Sequence, residues 1–428
     1  MRNKSAYVRV ACAVLGIVAA LIADGPNEAP AGFETPTLSV NPGSQSNSNG
    51  IEEPQGDTYA LDQSKFEMRH DASNGLGPLY NATACAECHQ NVVSGAASQN
   101  TEIRAGHKDA NGNFVNPTIP INGGGNTVTG RSIVNDRAIC EAAMEHLPDT
   151  ETVHTLRATL STLGDGFVEA VDDRTLQAIA ANQPFESGGM IHGEAILIPV
   201  LESPGQLKVG RFGWKDQQPS VLSFAGDAYL NEMGVTNRVR PNDVTSVCKT
   251  SQANEDPPDD VGLSNIDHFA QFIRGTKAPP RDTVLAATAD AQAGHAIFQS
   301  LGCPICHVET LTTDPPGTLV TGGNGGTTYR IPAALGGKIF HPFGDYLLHD
   351  VGTGDGIVQA GPADTANKLR TAPLWGLHIK SRFMHDLASP DLTDAIQRHA
   401  GEAQGVTANF IALPDSAKAQ LITFLKSL

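Results

Sequence analysis

The stretch Leu301–His307, LGCPICH, repeats a pattern used once before in the chain, at Thr83–His89, TACAECH. Both contain Cys-x-x-Cys-His, the arrangement that attaches c-type haem. Two thiols two residues apart bond the two vinyl groups of a porphyrin, and the adjacent histidine is left facing the iron. The composition would supply roughly 0.004 copies by chance, so a duplicate is a strong signal. A zinc ribbon would place its pairs about 15 to 20 residues apart, whereas Cys88 and Cys303 are separated by 215. A thioredoxin-like pair would not require His after the second Cys in both copies. The reading is two covalently bound c-type haems, held by Cys85, Cys88, Cys303 and Cys306, with His89 and His307 as iron ligands.

The chain has 428 residues and a formal charge of −17. It therefore lacks the basic surface needed to neutralise phosphates, which excludes nucleic acid as an expected partner. At the N-terminus, Arg2, Lys4 and Arg9 precede an apolar run from Val10 to Ala23, ended by Asp24 and Gly25. This reads as a secretory signal over residues 1–23 and places the protein in the periplasm. The run is shorter than the ~18 to 20 residues of a membrane span, and no second one follows, so no span is expected in the mature chain. Residues 24–56, rich in Pro, Ser, Asn and Gly, read as a disordered linker.

Between the motifs, HTLRATLSTLGDGFVEAVDDRTLQAIAANQ (154–183) carries Leu, Val and Ile at helical spacing, and MIHGEAILIPVLE (190–202) alternates like a short strand. Pro279 and Pro280 break the helix containing IDHFAQFIRG and mark a boundary. Beyond it, ADAQAGHAIFQSL forms an amphipathic helix that runs into the second motif. The chain closes on PDSAKAQLITFLKSL, with Asp415 as expected N-cap and Leu421, Phe424, Leu425 and Leu428 on one face. A helix before the motif and another closing the chain is cytochrome c architecture. The expected fold is mainly α: two cytochrome c-like haem domains, 57–280 and 281–428, with loop and short-strand insertions.

Around the motifs, GLGPLYNATACAECH (75–89), GRFGWKDQQPSVLSFAGDAYLNEMG (210–234), FGDYLLHDVG (343–352), LRTAPLWGL (369–377) and FMHDLASPDLTDAIQRHAGEA (383–403) resemble the bacterial di-haem oxidoreductases, relatives of the di-haem cytochrome c peroxidases and of MauG. The resemblance implies a peroxide-reducing N-terminal haem supplied with electrons through a C-terminal haem by a small redox protein. It implies that Trp214 lies between the haems and that Glu232, followed by Met233, stands over the first. A carboxylate there can take a proton from peroxide and return it to the departing oxygen. A glutamine of some relatives falls near Phe224, so the usual hydrogen-bond network around that carboxylate is not reproduced.

Counting from His385, the resemblance places the second haem's sixth ligand at His399. Spacing agrees: Leu392, Ala395, Ile396 and His399 share one face of a helix expected to start near Asp391. Met384 is the competing ligand. His107 is a candidate cap for the first iron, His349 matches the family without a derivable role, and Thr371 and Pro373 resemble carbonyl donors of an inter-haem calcium site. Cys140 and Cys248 can pair in an oxidising compartment, but the sequence gives no distance between them. Two other functions remain open: a di-haem electron carrier without substrate chemistry, and a MauG-like oxidase of a protein or small-molecule donor.

Overall fold

The computed structural model describes residues 25–33, 58–249, 255–322 and 326–428. The expected signal at 1–23 lies outside them. Of the expected linker, residues 25–33 are described and are seated on the body. The strand Asn27–Glu28 runs parallel to Lys338–Phe340, and Ala31 bridges Ala278.

Ten helices are described. The first, α1 (Tyr59–Glu67), is capped by Thr58, which accepts from the Leu61 amide, and it packs along α5 (Asn265–Gly275). Ile266, Phe269, Ala270, Phe272 and Ile273 make the inner face of α5, at the spacing of an amphipathic helix. Between these two come α2 (Asp165–Glu169), α3 (Asp173–Glu186) and α4 (Val221–Met233). Ser220 caps α4 by accepting from the Ser223 amide, and Gly234 ends it in the left-handed conformation. After α6 (Thr283–Ala286), α7 (Ala289–Leu301) delivers the chain to the second motif through Gly302, also left-handed at φ 88°. The chain closes with α8 (Leu392–Gln397), α9 (Gln404–Ala412) and α10 (Asp415–Leu425). The last lies on α7 at the closest approach the backbones permit. A Cβ on Gly294 would sit 2.0 Å from the Gln420 carbonyl oxygen. Pro414 takes the N-cap position expected of Asp415, which becomes the first helical residue. Leu421, Phe424, Leu425 and Leu428 are all buried, as their spacing requires.

The mainly α expectation is not met. Helix makes up 31% and strand 16%, the latter spread over many small sheets. The largest sheet lies between the first motif and α2. There Thr101–Lys108 runs antiparallel to Val153–Ala158, from Thr101 opposite Ala158 to Gly106 opposite Val153, and also pairs with Phe114–Val115 and Ile133–Val134. Residues 154–158, read from sequence as the start of a helix, are thus the partner strand. Alternating His154, Leu156 and Ala158 against Thr155 and Arg157 satisfies a two-residue period as well as a helical one. A partner strand some 50 residues earlier in sequence decides the matter. The short strand read in 190–202 is present as Leu197–Pro199, paired with Leu207–Val209.

Two main hydrophobic cores result. The larger joins Phe66, Phe167, Phe212, Tyr229, Phe269 and Phe272 to Phe340, Tyr346 and Trp375, so it draws on both sides of Pro280. The smaller gathers Phe298, Phe343, Phe410, Leu421, Phe424 and Leu428 around the second motif. A buried ion pair ties the first together: Arg274 donates to both carboxylate oxygens of Glu169 at 2.6 and 2.9 Å, and stacks 3.6 Å from the centre of the Tyr329 ring. Cys140 and Cys248 are disulfide-bonded, with Cα atoms 6.3 Å apart, which settles the pairing left open by the sequence. No helix among the described residues is long and apolar enough to cross a membrane.

Candidate functional site

The two motifs fold alike. Cys85–Glu87 and Cys303–Ile305 each form one turn of 3-10 helix, and the histidine amide reaches back to the first cysteine's carbonyl at 3.0 Å in both. Cys85, Cys88, Cys303 and Cys306 are free thiols although Cys140 and Cys248 are paired. Burial pushes Cys85 and Cys303 up to about 12, which keeps them protonated. It pushes His89 and His307 down to about 4. Neutral imidazole is the form that binds iron.

Around the second motif the geometry is two-sided. His307 donates its Nδ1–H to the Phe343 carbonyl at 3.0 Å, and His399 donates its Nδ1–H to the Ala395 carbonyl at 2.7 Å. A carbonyl only accepts, so each ring keeps Nε2 free as a lone-pair donor. Both line one cavity of about 260 Å3, together with Cys303, Cys306, Met384 and Trp214. After burial, the largest influence holding His307 down is His399. The expected cap is present, Asp391 accepting from the Asp394 amide at 2.9 Å. His399 stands two residues beyond the end of α8, its ring fixed by the last turn. The cavity is otherwise mainly apolar, with Phe298, Leu301, Phe383 and Phe410 in its walls, and Asn91, beside the first motif, also borders it. A space reached by both thiols and flanked by two imidazoles fits a thioether-bound haem.

Around the first motif apolar and polar neighbours mix: Cys85 and Ala86 pack against the larger core, and the His89 ring lies 6.2 Å from that of Phe66. His89 Nδ1 is buried without a close hydrogen-bond partner, although the Leu160 backbone offsets part of its burial. Glu232, near the end of α4, accepts from Asn81 Nδ2 at 2.9 Å, and its own carbonyl accepts from the Asn81 and Ala82 amides. The Cys88 thiol is raised first by burial and then by Glu232. Burial, then the neighbouring Glu102, raises Glu232 well above the usual carboxylate range. Met233 faces the core and is 2% exposed. His107 has its Nδ1 on the Glu151 carboxylate at 2.7 Å.

Trp214 lies at the edge of the cavity with its indole N–H on the Ala158 carbonyl at 2.8 Å and its ring 6.1 Å from that of His385. The next residue, Lys215, buries its ammonium among the carbonyls of Thr365, Ala366 and Lys368 and the Asp355 carboxylate, at 2.7 to 3.1 Å. Asp355 also pairs with Arg157 at 2.7 Å. His349 acquires a setting: its two ring nitrogens face Asp345 and Glu402, each at 2.9 Å, and Cys306 Sγ lies 3.7 Å away. Asp345 above all holds it protonated against the cost of burial. Thr371 and Pro373 line the same cavity.

The sequence reading missed Glu102 and Arg104. They share one face of the strand Thr101–Lys108, and Arg104 Nε donates to Glu102 Oε1 at 2.5 Å. No local pattern marks them: the strand is inverted, with Ile103 between them 38% exposed and Arg104 9% exposed, which only the folded sheet reveals.

The family model described as "Di-haem oxidoreductase, putative peroxidase" matches residues 133–428, a span holding the second motif, Trp214, Glu232 and His399. Two solved structures resemble the chain at low identity. One is hydrazine synthase from Kuenenia stuttgartiensis, 13% identical, covering 93% of this chain and 100% of that one with a TM-score of 0.36. The other is a MauG-like protein associated with microbial copper homeostasis, 14% identical, covering 93% and 94% with a TM-score of 0.40. No curated protein gives a significant match.

Proposed function

Since the chain belongs to the di-haem oxidoreductase family, we propose that it is a periplasmic peroxidase that reduces peroxide at the haem of the first motif, with electrons relayed by the haem of the second. The observation that carries this reading is the difference in surroundings: a carboxyl with raised proton affinity, held by Asn81, in the first region, and two backbone-anchored imidazoles in the second. On this reading residues 57–280 hold one haem through Cys85, Cys88 and His89. Residues 281–428 hold the other through Cys303, Cys306, His307 and His399. Haems held by these residues would supply reducible iron for the electron transfers.

The protein's own contribution is proton handling and orientation. Glu232 takes one proton from hydrogen peroxide and returns it to the departing oxygen. Asn81 holds the carboxyl in place for this. Trp214, pinned by Ala158, keeps an aromatic ring at the border of the second cavity, and Lys215 locks the adjoining loop by its four oxygen contacts. Neutral His89 and His307 are ready to bind metal without losing a proton first. Of the two candidates for the sixth position, the Nδ1 anchor favours His399 over Met384.

Calcium finds no support among clustered side-chain donors. The only cluster of three or more His, Cys, Asp or Glu donors among the described residues is Cys306, Asp345 and His349, whose thiol and imidazole do not suit a hard cation. The ammonium of Lys215 already fills an oxygen-lined space near Trp214. No step of the proposed reaction depends on calcium. The disulfide agrees with an exported protein, and a charge of −17 favours a basic or neutral redox protein as donor.

The test is peroxide added to the half-reduced protein, followed by stopped-flow absorbance. Peroxide consumption with oxidation of the reduced haem supports the proposal. No reaction at any reduction level assigns the protein to electron carriage.

A further inference from the structure

His349 bridges two carboxylates. Its Nε2 faces Asp345 Oδ2 and its Nδ1 faces Glu402 Oε2, each at 2.9 Å. Carboxylates only accept, so both ring nitrogens donate. His349 and Asp345 are buried, and charge-assisted bonds shielded from water are the strong ones.

The two ends of the bridge lead to the two histidines of the second cavity. Asp345 lies two residues after Phe343, whose carbonyl accepts from His307 Nδ1, and the amide of Gly344 between them donates to the Val308 carbonyl at 3.0 Å. Gln183 ties this end to the motif itself: its Nε2 donates to Asp345 Oδ2 at 2.6 Å and to the Ile305 carbonyl at 2.8 Å. At the other end, Glu402 lies three residues after His399. Its carboxylate accepts from the Asp350 amide at 3.1 Å and the His192 amide at 2.9 Å. Alongside, the Ala400 amide donates to the Val351 carbonyl at 2.8 Å and the Glu402 amide to the Asp350 carbonyl at 2.9 Å. The seam has no slack, since a Cβ on Gly401 would collide with the Asp350 carbonyl.

α8 ends at Gln397, so the helix does not by itself fix the backbone that carries His399. The Ala395 carbonyl orients its ring, and the seam to 350–351 holds the residues that follow it. We propose that Asp345, His349 and Glu402 form a strut between the two walls of the second cavity, with His349 and Glu402 acting as positioning residues for His399. Partners one step removed from a metal ligand set its orientation in this way. Without the ring between them, the Asp345 and Glu402 carboxylates would face each other as like charges. The strut gives His349 a task, and it rests on the reading of His399 as the sixth ligand.

The test uses full-length protein with both haems, reduced and mixed with carbon monoxide, which binds only where the sixth position is open or opens. Absorbance follows how many haems bind it and how fast, and His399→Gly identifies the phase that belongs to the second haem. Glu402→Ala should speed that phase by ~10- to 100-fold, the range for losing such a partner, with two covalent haems and the other phase unchanged. His349→Gln, which leaves the Asp350 and His192 amides on Glu402, should speed it less, and it carries the test if Glu402→Ala does not fold. The double variant should open no further than Glu402→Ala, because both substitutions cut one link, whereas a merely loosened fold would add the two effects. Wild-type rates in the single variants, or additive effects in the double, overturn the strut alone. If His399→Gly changes neither phase, the ligand reading and the strut fall together.

Discussion

Around His307 the protein is dry and aromatic: Phe298, Phe343, Phe410 and Phe424 form its core, and both flanking imidazoles are tied to backbone carbonyls. Around the first motif the wall is mixed: the Phe66 ring lies 6.2 Å from that of His89 and Cys85 and Ala86 pack on the larger core, while Glu232 acts on the Cys88 thiol. One loop geometry has thus been set in two media. An apolar, two-ligand setting changes little when an electron arrives, which suits storage and relay. A setting with protons in reserve suits breaking an oxygen–oxygen bond. The polar exception near the second motif, His349 between Asp345 and Glu402, lies against Cys306 and not between the facing imidazoles.

The broadest way to break this comparison is to remove one attachment. Cys85→Ala or Cys303→Ala should each leave one covalent haem per chain where the wild type has two, counted on denatured protein. Two remaining in either variant contradicts the reading of both loops. Next, Glu232→Gln should slow peroxide turnover by ~10² to 10⁴, the range for losing a positioned acid–base group, with both haem spectra unchanged. Wild-type turnover in that variant would remove the chemical distinction between the regions.

The larger core makes a stability claim of its own. Arg274→Gln leaves the Glu169 carboxylate buried beside a neutral amide, which should cost about 3 to 5 kcal/mol in chemical denaturation. A loss under 1 kcal/mol would show that water reaches Glu169 and that the region is less dry than its burial indicates. The mildest change is His399→Gly. Both haems should stay attached while the low-spin spectrum of one changes, since attachment and sixth ligation rest on different residues. An unchanged spectrum transfers the ligand role to Met384.

Much of the second region was legible in the sequence because its logic is local. The helix into the motif, the Asp391 cap and the inward face ending at His399 all follow from spacing within about ten residues. The first region was not, because its logic is long-range. Arg157 reads equally well on a helix or a strand until Thr101–Lys108 lies beside it. Glu102 and Arg104 look like ordinary surface charges until that strand turns its polar face inward. Glu232 was legible only through family resemblance, and its partner Asn81 lies 151 residues away in the chain.

The central claim is that one iron is open and the other closed, and electron paramagnetic resonance with optical spectra tests it most directly. Purified protein, oxidised and half-reduced, is titrated with peroxide. The account predicts a low-spin signal from the second haem that peroxide does not displace, and a first haem that is five-coordinate at rest or becomes so on half-reduction and alone responds to peroxide. Two low-spin haems that stay six-coordinate at every reduction level and ignore peroxide would contradict it.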